Sequence, residues 1–203
     1  MFNSASRRTV VAAASLAAAA LLAAAGCSSG DSSNTSAHGG DHSSSASSAR
    51  SDFNTADVTF LQMMYPHHAQ AVEMAKLAPS RSRDTQLRTL ASAIEKAQSP
   101  EMAQITKLLT SFGKSDPSST MTDHAGMSGM MSPEQMTQLE RLSGLEFDRQ
   151  WLQMMIEHHT GAITMANTEL SGGTNSESKR LARTIAATQQ NEITQMRSML
   201  AGS

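Results

Sequence analysis

The sequence predicts an all-α domain of four long helices arranged as two tandem hairpins. Apolar side chains recur at three-to-four spacing over four long stretches, few segments alternate with the two-residue period of a strand, and one block of chain is written twice. The run FLQMMYPHHAQAVEMA, Phe60 to Ala75, returns as WLQMMIEHHTGAITMA, Trp151 to Ala166, 91 positions later with nine of sixteen residues identical. The offset holds without a gap beyond that block. Asp57 matches Asp148, Leu90 matches Leu181, Ile94 matches Ile185, Gln98 matches Gln189, Glu101 matches Glu192 and Leu109 matches Leu200. Each copy is too short to bury its own apolar face well, so the expected unit is the two copies packed on each other.

The chain opens with an address label. Residues 1–26 read as a lipoprotein signal peptide: Arg7 and Arg8 precede an Ala-rich apolar run from Val10 to Ala25, and Ala24, Ala25 and Gly26 lead into Cys27, the only cysteine. That run is shorter than the ~20 residues a bilayer-spanning helix needs. Cleavage before Cys27 leaves an exported chain held by lipid to the outer face of the cytoplasmic membrane or cell envelope. Ser6 to Val10 also carries a weak twin-arginine pattern, so the export route stays open. Residues 27–52 are rich in Ser, Gly, Asp and His and read as a flexible tether, with His38 and His42 as solvated linker residues.

The helical domain is expected over 53–201, with repeat 1 at 53–113, a Met- and His-rich linker at 114–132 and repeat 2 at 133–201. Asn54 and Asp57 have capping-box spacing, and Phe60, Met64, His67, Ala71, Met74 and Ala78 keep helical spacing until Pro79 stops the run. A second helix follows from Asp84 to Phe112 and ends at Gly113, with Leu87, Leu90, Ile94, Ala97, Ile105 and Leu108 on its apolar side. Ser132 and Pro133 open a short helix. Ser143 and Glu146, again at capping-box spacing, open the third long helix, which reaches Leu170. Gly172 and Gly173 make the next turn, and the fourth long helix, Ser176 to Leu200, carries Leu181, Ile185, Ile193, Met196 and Met199 inward. Pro66 and Pro100 predict a local kink in the first copy only. The stretch from Lys114 to Ser143 is long enough to stay local, giving up-down-up-down order, or to cross the length of the bundle. Sequence leaves both open.

Composition narrows the function. A net charge of -2 and 3% aromatic residues supply neither a phosphate-neutralising patch nor a stacking platform, which argues against a nucleic-acid binder. With Cys27 lipidated the folded part has no thiol, so a metal there is held by His, Met or carboxylate. Methionine is the outlier, at 15 of 203 residues.

The duplicated block conserves His and Met while Tyr65 becomes Ile156 and Pro66 becomes Glu157. Imidazole and thioether have in common an affinity for borderline and soft metals, copper above all. On the first long helix His67, Met64 and Met74 share an inward stripe, with His68 on its flank and Met63 one turn from His67. The third repeats this with His158, Met155 and Met165 inward, His159 on the flank and Met154 beside them. Facing helices bring four imidazoles and several thioethers within ligand reach. Imidazole suits Cu(II) and thioether Cu(I), so the expected cargo is copper in either or both states. Against this stands the ordinary reading of a Met stripe as core and of a single His as a hydrogen-bonded core residue. Two matched His pairs in a chain of seven histidines favour metal.

Asp57 and Asp148 read first as helix caps, with support of the ligands as the alternative. Glu101 and Glu192 are candidates for supporting the ligands, and are equally open to a core hydrogen-bonding role or a separate site; with the hairpin turning near Arg81, Glu101 is expected about 10 Å along the axis from His68. Between the copies, Met121, His124, Met127, Met130 and Met131 lie among Gly and Ser, as a mobile arm that captures Cu(I) or as a plain linker.

The paired Met-Met-x-x-His-His-x-x-Ala-x-x-Met-Ala blocks, each preceded by Asp and an aromatic and followed by a helix bearing Gln-x-x-Glu, resemble the bacterial family known as domain of unknown function 305. The resemblance covers residues 53 to 201. It implies a ferritin-like helical bundle, exported or lipid-anchored, with some members associated with copper binding and copper tolerance. The family motif falls on Asp57, Met63, Met64, His67, His68, Met74 and Glu101, and again on Asp148, Met154, Met155, His158, His159, Met165 and Glu192. Gly161 departs from the Gln seen at Gln70.

The expected function is an extracytoplasmic, lipid-anchored copper-binding protein that sequesters or relays the ion without catalysis; its partners are the ion and, through Cys27, a membrane, and a homo-oligomer is compatible with the sequence. A ferritin-like di-iron protein with a redox or storage role is a different class. It needs Glu-x-x-His on two helices, and Glu101 and Glu192 are followed instead by Gln104 and Gln195. Haem held by His and Met, and an envelope interaction module whose histidines bind no metal, are further alternatives.

Overall fold

The computed structural model describes residues 50–117 and 127–202. Among them lie five helices and no strand: α1 (Thr55–Arg81), α2 (Thr85–Ser111), α3 (Pro133–Arg141), α4 (Gly144–Gly172) and α5 (Ser176–Ala201). The signal peptide, Cys27, the tether before Arg50, and Met121 and His124 fall outside the described residues. No helix of the described residues is long and apolar enough to cross a membrane.

Local chemistry sets most helix ends. Asn54 Oδ1 accepts from the backbone of Ala56 at 2.9 Å and Asp57 at 3.2 Å, while Asp57 Oδ2 accepts from Asn54 N at 2.7 Å, closing the capping box of α1. Asp84 and Asn175 cap α2 and α5, and a Ser132–Gln135 box with Pro133 in the first turn opens α3. At the end of α2, Gly113 takes a φ of 70°, so that its own N–H reaches Thr110 O at 3.0 Å and Lys114 N–H reaches Leu109 O at 2.9 Å.

Two expectations fail at helix ends. Pro79 does not stop α1: the donors after it remain, Ser82 N–H bonds Ala78 O at 3.0 Å, and the helix continues to Arg81. Ser143 precedes α4 but makes no side-chain cap bond. Gly144 stands there at a φ of 61°, outside the helical first-turn geometry that a box with Glu146 requires.

α1 packs along α2, α4 packs along α5, and the two hairpins meet chiefly through α1 and α4, with α3 against α4. Asn54 Nδ2 donates to Gly172 O at 2.8 Å, joining the start of α1 to the end of α4, and Trp151 Nε1 donates to Met74 O at 2.9 Å nearer their other ends. α1 and α4 are therefore antiparallel. Since α2 ends level with the start of α1 and α4 starts level with its end, the connection between them crosses the length of the bundle. That decides the helix order in favour of the crossover.

The core is split. One apolar cluster gathers Ala71, Met74, Leu87, Ile94, Trp151, Met155 and Ile193; the other gathers Phe60, Met64, Ile105, Ala162, Leu181 and Ile185. Between the clusters every long helix carries polar side chains: His67 and His68 on α1, Gln98 and Glu101 on α2, His158 and His159 on α4, Gln189 and Glu192 on α5. A polar belt crosses the middle of the bundle.

Candidate metal centre

The belt is built on rigid helices, with all four histidines at 0% exposure. The His67 and His158 rings lie with centroids 3.8 Å apart and tilted by 40°, and His158 and His159 are 6.2 Å apart. His68 Nε2 meets Glu101 Oε2 at 2.8 Å, and 91 residues on His159 Nε2 meets Glu192 Oε2 at 2.8 Å. The 10 Å offset expected for Glu101 is thus corrected. The hairpin turns at Ser82–Asp84 instead of Arg81, which reduces the axial offset to about 4.5 Å, within reach of a glutamate side chain.

These partners fix the imidazole tautomers. An ionised carboxylate only accepts, so Nε2 of His68 and of His159 carries the hydrogen; the Ser128 carbonyl, 3.3 Å from His67 Nε2, makes the same demand there. In a neutral ring held this way Nδ1 keeps the lone pair. A carboxylate or carbonyl holding the far nitrogen of an imidazole is the usual support of a metal-bound histidine, because it fixes ring orientation and raises donor basicity. Burial, then the neighbouring His68, pushes the His67 imidazole down to about 3. Burial and the adjacent His67, His159 and His68 drive His158 well below its ordinary value as well. Both stay neutral, the form that binds metal.

The belt is conspicuously short of hydrogen bonds. Nδ1 of His67, His68 and His159, both ring nitrogens of His158, and both amide atoms of Gln98 and Gln189 are buried without a partner, nine atoms in all. An unmet buried polar group costs roughly 1–3 kcal/mol. Among the described residues no three His, Cys, Asp or Glu side chains already stand together as a metal cluster. Thioethers are at hand. Met64 and Met155, both 0% exposed, lie one turn from the histidines of their own helices. Because α1 and α4 are antiparallel, they flank the His67–His158 pair from opposite sides.

Other candidates are placed elsewhere. Met74 and Met165 lie seven residues from His67 and His158, about 10 Å along the axis; the Met74 carbonyl holds Trp151, and Met165 packs in the other cluster. They do not join the belt. Met63 is half-buried and packs against the second apolar cluster, and Met154 lies in the first.

A strap covers the belt where the crossover passes it. Gln70 grips the Met131 backbone twice, Nε2 donating to its carbonyl at 2.9 Å and Oε1 accepting from its N–H at 2.7 Å. Gly129 and Gly161 sit backbone to backbone: a Cβ on Gly129 would meet the Glu157 carbonyl oxygen at 2.7 Å, and one on Gly161 would meet Gly129 Cα at 2.8 Å. The departure at Gly161 thus has a structural reason, because the strap occupies the space a Gln would need. Residues 127–131 are consequently not a free arm. Met131 is 4% exposed and packed into the core, while Met127 and Met130 are half-buried.

The paired aspartates differ. Asp57 does cap, and it also ties α1 to the α4–α5 turn by accepting from Thr174 N at 3.1 Å, Thr174 Oγ1 at 3.1 Å and Asn175 N at 2.9 Å. Burial opposes its charge, but these bonds and the one from Asn54 outweigh it and lower its pKa. Asp148 lies inside α4 with Oδ1 unpaired, so it caps nothing. Neither touches the belt. Near Asp57, Glu169 is 1% exposed; burial first, then a hydrogen bond to the Asp57 carboxylate and its charge, push it up to about 8.

Comparison with known proteins fits this architecture. The family model described as Domain of unknown function (DUF305) matches residues 57–200. The chain belongs to the DUF305 family. A DUF305 protein of Streptomyces coelicolor, described as secreted, has a crystal structure that is 33% identical, with a TM-score of 0.66 over 72% of this chain and 93% of that one. A DUF305 fragment from Deinococcus radiodurans is 34% identical, TM-score 0.67, over 74% and 98% of the two chains. CopM in its Cu(II)-bound form is 28% identical, TM-score 0.64, over 72% and 96%, and CopM is also solved in a Cu(I)-bound form. Curated proteins give no match. In this DUF305 protein, sequence reasoning missed Gln98 and Gln189 as belt residues, although their 91-residue match was the available signal. Ser128 carried none, since its part is played by a backbone carbonyl.

Proposed function

We propose that this DUF305 protein binds copper in the polar belt, sequestering or relaying the ion outside the cytoplasm without catalysing a reaction. The observation that carries the reading is the set of five buried imidazole nitrogens without a hydrogen-bond partner in the belt, with Met64 and Met155 buried one turn away on the same helices. The ion would draw its donors from among Nδ1 of His67, His68 and His159, a ring nitrogen of His158, and the thioethers of Met64 and Met155. Glu101 and Glu192 hold the far side of two rings, and the Ser128 carbonyl holds a third. Nitrogen and sulfur together accept both Cu(II) and Cu(I). The similarity to CopM, solved with either ion, supports the choice of metal. Export with a lipid on Cys27 completes the reading, supported by the signal-like N-terminus and by the secreted description of the Streptomyces relative.

Elemental analysis and an anaerobic Cu(I) competition titration, run on wild type and on a variant with His67, His68, His158 and His159 changed to Ala, test it. Copper should bind the wild type and be largely lost from the variant. Equal copper in both proteins defeats the proposal, and iron in place of copper favours a redox or storage protein.

A further inference from the structure

The two belt glutamines are the least explained buried groups in the bundle. Gln98 and Gln189 are each 2% exposed, and neither amide has a hydrogen-bond partner for its carbonyl or its NH2. A leucine or methionine would fill nearly the same space without that burden, as the neighbouring buried positions do. On α2 the buried residues are Leu87, Leu90, Ala91, Ile94, Gln98, Ile105, Leu108 and Leu109, so Gln98 is the single polar member. It stands between the two apolar clusters, one turn before Glu101, the partner of His68. Gln189 stands likewise between Ile185 and Ile193, one turn before Glu192, the partner of His159. Both amides thus occur at the level of the histidines, on the helices that carry the supporting carboxylates.

Resting on the copper reading above, we propose that Gln98 and Gln189 belong to the metal compartment and supply its oxygen coordination, through the amide carbonyl or a water that the amide holds. Oxygen beside imidazole nitrogen suits Cu(II), whereas Cu(I) is satisfied by sulfur and nitrogen. The glutamines therefore set the preference between oxidation states. The thioethers of Met64 and Met155 retain the reduced ion, and the amides retain the oxidised one.

The test is the double variant Gln98→Leu/Gln189→Leu in the full chain, with Cu(II) and Cu(I) affinities measured separately by competition, the Cu(II) electron paramagnetic resonance spectrum, and thermal unfolding without metal. Cu(II) affinity should fall tenfold or more and the spectrum should shift, while Cu(I) affinity stays within about twofold and the metal-free unfolding temperature does not drop. A glutamine that only packs predicts the opposite pattern, a lower unfolding temperature with both affinities intact. Unchanged Cu(II) binding, or an equal loss of both ions, overturns the proposal while leaving the copper reading standing. A wild type that binds neither ion removes both. Should the leucine pair not fold, the single variants Gln98→Leu and Gln189→Leu carry the same comparison.

Discussion

Gly161→Ala tests the strap, because the added methyl has nowhere to go. Its Cβ would overlap the Ser128 carbonyl oxygen and lie 2.5 Å from Ser128 C, both backbone atoms that no rotamer change can move. Restoring an ordinary 3.4 Å contact to that carbon requires the strap to retreat by about 0.9 Å (3.4 minus 2.5). The His67–Ser128 bond, already 3.3 Å long, is then lost, and the two Gln70–Met131 bonds on the same displaced segment break with it. Three hydrogen bonds at roughly 0.5–1.5 kcal/mol each total about 3 kcal/mol. Replacing glycine inside a helix returns about 1 kcal/mol. The net loss is about 2 kcal/mol, read by denaturant unfolding, with earlier hydrogen exchange at the Met131 amide. Gly172→Ala is the control, since its Cβ would meet only Ala56 Cβ at an easy 3.5 Å. A Gly161→Ala protein as stable as wild type, with Met131 still protected, refutes the seating of the strap.

Further outcomes follow from the same geometry. Asp57→Ala strips acceptors from the backbone of Asn54, Thr174 and Asn175 and should cost about 3 kcal/mol of unfolding free energy; a loss below 1 kcal/mol contradicts its tying role. Glu169, at about 8 when folded and near 4.5 when unfolded, keeps its proton in the native state alone between those values, so its contribution is full below pH 4.5 and fades as pH rises through 8. Thermal midpoints measured from pH 5 to 8 should therefore decline more in wild type than in Glu169→Gln, and identical slopes rule this out. Glu101→Gln with Glu192→Gln removes the carboxylate support behind His68 and His159 and should weaken copper binding by roughly 10–100-fold, seen in a competition titration. Unaltered affinity would show that these carboxylates do not tune the ligands.

Much of the fold could be read from the chain because its signals are local. The Asn54–Asp57 box, the Asp84 cap, Gly113 past the end of α2 and the Ser132–Gln135 box each act within a few residues, and apolar spacing did the rest. The failures were non-local or depended on backbone detail: Gly144 turning the start of α4 away from its box, and Pro79 tolerated in the last turn. Helix order depended on how Asn54 and Gly172 meet across 118 residues, which no periodicity reports. For the candidate site, the His pairs and the duplicated glutamates were visible through their repetition, but the pairing of Glu101 with His68 was not, because it depends on where the hairpin turns. Shared helical facing could not tell Met64, beside the belt, from Met74, two turns away beside Trp151, because position along the bundle axis depends on tertiary register.

Anomalous diffraction at the copper edge from copper-loaded crystals asks most directly whether the belt holds the ion. The predicted result is a peak in the bundle interior between α1 and α4, within bonding distance of imidazole Nδ1 atoms of both hairpins. Copper found only on the surface or along residues 121–131, with Nδ1 of His67, His68 and His159 bonded to water, contradicts it.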